Sequence, residues 1–144
     1  MATKPEPLYG LNFSPHSSGS VGGTLSGSHK MTQDEMVVFT ESWDDVAAEV
    51  HANAKAKGFW DKERNDGEAL ALIHSEVSEA LEALRKGNPP DDKIPAYSGA
   101  EAELADVVIR IMDLAAGRKW HIAGAICEKI RHNATRERLH GKEF

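Results

Sequence analysis

Four acidic side chains at two matching spacings are the part of this sequence best placed to do chemistry. One stretch reads Glu76-Val77-Ser78-Glu79 and a later one Glu103-Leu104-Ala105-Asp106, each pairing carboxylates at i and i+3. On a helix that spacing puts both acids on one face, within reach of one ligand. Angular position says more than spacing. At ~100° per residue, Glu76 falls with Ala69, Leu72, Ala80 and Ala83 inside the apolar arc of its helix. Glu79 lies at the edge of that arc beside Leu72, and Glu103 borders the apolar stripe of the next helix beside Leu114. Carboxylates converging between packed helices cannot all stay ionised unaided in a low dielectric. A divalent cation resolves the conflict, and an all-oxygen ligand set suits Mg²⁺ or Mn²⁺ rather than zinc. The competing explanation is ordinary: acids at i,i+3 recur by chance, as in Glu79-Ala80-Leu81-Glu82, and Arg110 stands at i+4 from Asp106 to neutralise it in a surface pair. A di-iron carboxylate bundle needs Glu-x-x-His on two helices. Only Glu137-Arg138-Leu139-His140 matches, so that chemistry is disfavoured.

A second constellation is cationic. Lys129, Asn133, Arg136 and His140 recur at i, i+4, i+7 and i+11, which keeps them within roughly 60° of arc on one helix. Lys as a point charge and Arg as a planar fork both suit phosphate oxygens. Asn133 suits a sugar or base edge, and Lys142 adds a donor near the chain end. The alternative is that these cations merely complement the dipole at a helix C-terminus. Trp60, in Gly58-Phe59-Trp60, is a candidate for stacking on a base, a contact worth about 1–3 kcal/mol. Its alternative role is to plug the core at a helix end. The histidines His16, His29, His51, His74, His121 and His132 form no ligand-spaced set and read as surface or satisfied side chains.

The elements that must position these groups are helical. Thr32-Gln33-Asp34-Glu35 is a capping box, and Met36, Phe39, Trp43, Ala47 and Val50 recur at helical spacing up to Gly58. Asn65-Asp66-Gly67-Glu68 offers another box, followed by Leu70, Ile73, Val77, Leu81 and Leu84 as an a/d-type seam running to Gly87. The stretch from Asn88 to Ser98 contains Pro89, Pro90 and Pro95 and is a loop. Ser98-Gly99-Ala100-Glu101 caps a third helix with Leu104, Val107, Val108, Ile111, Leu114 and Ala115 as its stripe. Gly117 is expected to interrupt it, and a fourth helix is expected from about Trp120 to Leu139, with Ile122, Ile126 and Ile130 inside. No strand pattern occurs. The fold class is all-α, a bundle of four helices.

Composition bounds the rest. The chain has 144 residues, 40% hydrophobic and 28% charged, as expected of one globular domain. Lys and Arg number 17 against 23 Asp and Glu, a net charge of −6, which argues against binding a nucleic-acid polymer. No run approaches the roughly 18 apolar residues of a membrane span, and no signal segment opens the chain. Cys127 is the single cysteine, which rules out an intramolecular disulfide and fits a cytoplasmic setting. Residues 1–30 are dense in Ser, Gly and Pro and read as a flexible tail. Leu8, Tyr9, Leu11 and Phe13 are the anchors if that tail binds a partner. Residues 31–144 form the domain.

Taken together, Ile73-His74-Ser75-Glu76-Val77-Ser78-Glu79-Ala80-Leu81-Glu82-Ala83-Leu84-Arg85 followed by Glu103-Leu104-Ala105-Asp106-Val107-Val108-Ile109-Arg110 resembles the MazG-like nucleotide pyrophosphohydrolases. That all-α superfamily is marked by E-x-x-E, a spacer, then E-x-x-D. Lys129, Asn133-Ala134-Thr135-Arg136 and His140-Gly141-Lys142 also resemble the K…N-x-T-R…H-G-K tail of its single-domain phage and bacterial members. The resemblance spans about Lys57 to Phe144. It has no counterpart for the N-terminal tail, and Glu137 stands where many relatives carry proline. The resemblance implies Mg²⁺-dependent hydrolysis of a (deoxy)nucleoside triphosphate to monophosphate and pyrophosphate. Glu76, Glu79, Glu103 and Asp106 would hold the metal, with Glu76 or Glu79 also orienting or deprotonating the attacking water. Lys129, Asn133, Arg136, His140, Lys142 and Trp60 would bind substrate, and a homodimer or homotetramer would complete the site. The alternative is a helical oligomerisation or nucleotide-sensing module without turnover.

Overall fold

The structure, a computed structural model, describes residues 30–136. Their regular elements are four helices: α1 (Gln33–Ala56), α2 (Asp66–Arg85), α3 (Gly99–Arg118) and α4 (Ile122–Ala134). Among the described residues there is no strand, only an isolated bridge between Pro90 and Ser98 that closes the α2–α3 loop. The candidate residues His140 and Lys142, and the tail anchors Leu8 to Phe13, lie outside the described residues. Among the described residues no helix is long and apolar enough to cross a membrane.

Local chemistry sets the helix ends. Thr32 and Glu35 form a reciprocal capping box on α1, and Ser98 and Glu101 another on α3. On α2 only half of the expected box forms: Asn65 accepts from the Glu68 backbone N–H at 3.1 Å, and no return bond is made. Gly58 and Gly87 follow α1 and α2 with φ of +83° and +85°, backbone that a side chain disfavours. Asp91 organises the proline loop by accepting from the Lys93 and Ile94 backbone N–H groups, both at 2.8 Å. These bonds, Ile94's foremost, hold its carboxyl below the usual range.

The helices form a chain of antiparallel contacts in the order α2, α3, α1, α4. α2 and α3 run antiparallel: Arg118 at the end of α3 binds Asp66 at the start of α2, and Gly99 lies against Ala83. α1 packs on α3, and α4 packs on α1. Lys119 adopts the left-handed conformation (φ +56°) and breaks the chain between α3 and α4. The two helices therefore lie in succession along α1: α3 against its second half, α4 against its start, where Arg131 donates to Gln33.

Packing differs from the sequence expectation in which face is buried. On α2 the buried side is Ala69, Glu76 and Ala80, while Leu70, Val77, Leu81 and Leu84 are exposed. On α3 Leu114 and Ala115 are buried, but Leu104 and Val108 are exposed. On α4 Ala123 and Cys127 are buried, and Ile130 is exposed. Small residues line the contacts because they let helix backbones approach closely, and the branched side chains are left on outward stripes. Gly117 likewise does not end α3. It sits inside the helix because the Trp60 ring occupies the space a Cβ would need.

Candidate functional site

The α2–α3 contact brings three of the four acids together. One carboxylate oxygen from each of Glu76, Glu103 and Asp106 lies within 4.8 Å of the others, close enough for all three to ligate one cation. Glu76 is 6% exposed. It sits on the small-residue face between Ala69 and Ala80, so helix packing drives its carboxylate into the interface. Glu79, one turn on, is exposed and stands outside this triad. Its charge still acts on the site. Glu103 is held above the usual carboxylate range by burial first, then by the Glu79 charge, a hydrogen bond with Glu76, and the charges of Glu76 and Asp106. Like charges crowded beside a partly desolvated carboxyl make such a site favour a cation or a proton.

Arg110 does not pair with Asp106 along its own helix. It crosses to α2, where Nε donates to Glu76 Oε1 at 2.7 Å and a terminal guanidinium nitrogen reaches the same oxygen at 2.6 Å. Sequence spacing pointed to the i,i+4 partner. The buried carboxylate is the stronger acceptor because fewer waters compete for it.

Beside the triad a cavity of about 320 Å³ opens between α1 and α3. Asp106 and Arg110 line it on one side, with Asn53, Lys57, Phe59 and Arg64 among its other walls. Arg64 is fixed by Asp113, a buried carboxylate that accepts from Arg64 at 2.7 Å, from Trp60 Nε1 at 2.8 Å, and contacts His51 Nδ1 at 2.8 Å. Trp60 is thereby committed to the fold. Its indole N–H is bonded to Asp113, its ring meets His51 edge-on at 4.9 Å, the Arg64 and Arg118 guanidinium groups lie over it, and Gly117 packs beneath. The stacking role expected of Trp60 is not open to it in this arrangement, whereas its neighbour Phe59 is exposed at the cavity. Sequence reasoning passed over Asn53, Lys57, Phe59, Arg64 and Arg110 as cavity residues. The one available signal was that Lys57 and Phe59 flank the Gly58 turn that stops α1 against α3.

The cationic stripe lies elsewhere. Lys129, Asn133 and Arg136 are all exposed, and Arg136 points a terminal nitrogen at Asn133 Oδ1, 3.5 Å away. α4 meets α1 near Gln33, whereas the cavity beside the triad meets α1 at Asn53 to Lys57. Those stations are separated by about 30 Å at 1.5 Å per residue. Within one chain the described part of the stripe is not brought to the acids. Comparison with family models, with curated proteins and with solved structures finds no match to this chain.

Proposed function

We propose that this chain hydrolyses a (deoxy)nucleoside triphosphate to the nucleoside monophosphate and pyrophosphate with Mg²⁺, or Mn²⁺ in its place, clearing unwanted nucleotides from the cytoplasmic pool. The observation that carries the reading is the buried Glu76 carboxylate converging with Glu103 and Asp106. Three carboxylate oxygens from two helices fit a hard divalent cation. When bound, the cation neutralises phosphate oxygens and acidifies a water. Glu76, Glu103 and Asp106 would hold it. Glu79, exposed and outside the triad but near enough for its charge to act on Glu103, would orient the attacking water and accept its proton. The α1–α3 cavity adjoining Asp106 takes the nucleotide.

The same reading extends to assembly. The stripe of Leu70, Val77, Leu81 and Leu84 on α2 is apolar and exposed, the kind of surface that a partner covers. A homodimer or homotetramer that buries it completes a four-helix bundle of the MazG-like type. A second copy is also the route by which the described stripe residues Lys129, Asn133 and Arg136 would reach the acids; His140 and Lys142 are proposed to bind substrate with them. The bond from Arg110 to Glu76 favours a second reading, a non-catalytic helical module in which the pair is simply structural. Pyrophosphate release separates the two. Wild-type protein with Mg²⁺ releases pyrophosphate from a nucleoside triphosphate, and Glu79→Gln, which leaves the triad and the Arg110 pair intact, abolishes release. Equal release by wild type and Glu79→Gln removes Glu79 from the mechanism, and no release by folded wild-type protein favours the structural module.

A further inference from the structure

Arg110 occupies two places at once. Two nitrogens of its guanidinium, Nε and a terminal one, converge on Glu76 Oε1, at 2.7 and 2.6 Å. Its side chain, 36% exposed, also forms part of the wall of the α1–α3 cavity. Glu76 is one of the three carboxylates able to share a cation. A divalent cation on Glu76 draws on the same carboxylate charge that holds Arg110, and it repels the guanidinium at a few ångströms, so its arrival loosens the Arg110 bond. A guanidinium expelled from Glu76 stays tethered to α3 one turn beyond Asp106, with the cavity beside it. Of the other cavity cations, Arg64 is held by Asp113. Arg110 is therefore the planar fork available to an incoming anion, and a fork matches phosphate oxygens in pairs.

We propose that Arg110 exchanges partners: a divalent cation on the triad displaces it from Glu76, and the freed guanidinium binds a phosphate of the triphosphate lodged in the α1–α3 cavity. The identity of the anion rests on the pyrophosphohydrolase reading above. The exchange makes Arg110 an antagonist of the metal and an agonist of the polyphosphate. An arginine that stayed on Glu76 would act on both ligands through its charge alone, so the exchange itself is read from whether the Arg110 Nε–H leaves Glu76 when Mg²⁺ binds.

The test measures each ligand separately on Arg110→Gln and Arg110→Lys, with circular dichroism to check folding. Without any polyphosphate, Mn²⁺ binds Arg110→Gln roughly tenfold more tightly than wild type, read by calorimetry or by the spectrum of free Mn²⁺; removal of a competing cation acts in the same range as typical site-to-site couplings. In saturating Mg²⁺, inorganic tripolyphosphate binds Arg110→Gln roughly tenfold more weakly, the loss of one charge-assisted fork. Arg110→Lys, with its charge but no fork, falls between on both. Equal or weaker Mn²⁺ binding by Arg110→Gln overturns the exchange, as does unchanged tripolyphosphate binding. Absence of Mn²⁺ binding by wild type overturns the metal reading as well, which separates the two failures. Whether or not the variants fold, the wild-type Arg110 Nε–H resonance decides: it shifts on Mg²⁺ saturation if the bond to Glu76 breaks, and an unmoved resonance overturns the proposal.

Discussion

Glu76→Gln isolates the buried ligand with almost no change of shape. The amide keeps an oxygen for Arg110 but carries no charge, so the triad of Glu76, Glu103 and Asp106 becomes a pair. Removing supporting groups around a metal commonly costs 10–100-fold in affinity, and a direct carboxylate ligand belongs at about 100-fold. Thermal unfolding reads this by linkage. With Mg²⁺ at one hundred times its dissociation constant, binding to the native state adds about 2.7 kcal/mol. For a folded unit of this size that raises Tm by roughly 10 °C. At the same Mg²⁺ concentration the variant sits near its own dissociation constant and gains about 0.4 kcal/mol, roughly 2 °C. In EDTA the two proteins differ much less. The variant weakens a bond to an arginine more than one-third exposed, worth about 1 kcal/mol after solvent screening, and relieves repulsion on Glu103 in return. The assay is a melt of both proteins in EDTA and across a Mg²⁺ series. A variant that keeps the full Mg²⁺-induced rise refutes Glu76 as a ligand, whatever its EDTA midpoint.

Other expectations follow from the same geometry. Gly117→Ala in an ordinary helix interior would stabilise by about 1 kcal/mol, but the Trp60 ring fills the Cβ position, so the change destabilises by about 1–3 kcal/mol, read as a fall in the urea midpoint; a rise shows that the ring is not seated there. Glu103 carries a raised carboxyl, so in EDTA the folded state binds more protons than the unfolded one, and stability from this group is lost as pH rises from the ordinary carboxylate range through the raised value. Saturating Mg²⁺ replaces the proton and removes that loss; urea midpoints of wild type minus Glu103→Gln isolate the effect from Asp91, whose lowered carboxyl acts in the opposite direction, and a difference that is flat with pH in EDTA contradicts the crowding argument. Leu81→Glu, on the exposed α2 stripe, converts an oligomer to a monomer in sedimentation analysis; a wild-type monomer, or an oligomer indifferent to this change, removes that stripe as the interface.

The ends of α1 and α2 and the start of α3 were legible in the sequence because they rest on local chemistry, whereas α4, expected to reach about Leu139, ends at Ala134. Thr32 with Glu35 and Ser98 with Glu101 close their boxes within three residues, and Gly58 and Gly87 supply the positive φ that ends α1 and α2. The interior position of Glu76 was legible too, since its neighbours on the wheel are alanines. Which apolar face meets which neighbour was not. Leu70, Val77, Leu81 and Leu84 make a strong stripe, yet periodicity reports only that a face is apolar, not whether this chain or another covers it, and α2 meets α3 through Ala69, Glu76 and Ala80 instead. Long-range pairings were equally silent. Nothing local ties Arg110 to Glu76 rather than Asp106, or gathers His51, Trp60 and Arg64 on Asp113. Gly117 misled because a glycine admitting a tryptophan ring and a glycine ending a helix are the same letter. The stripe from Lys129 to Arg136 could be seen on its own helix, but its distance from the acids depends on how α3 and α4 succeed each other along α1.

The most direct measurement is the identity of the products when folded protein meets a panel of nucleoside and deoxynucleoside triphosphates, with Mg²⁺ and with EDTA, followed by phosphorus NMR. Monophosphate and pyrophosphate appearing only with the metal, from one or more bases, is the result this account predicts. Diphosphate and phosphate, or turnover that survives EDTA, contradicts it.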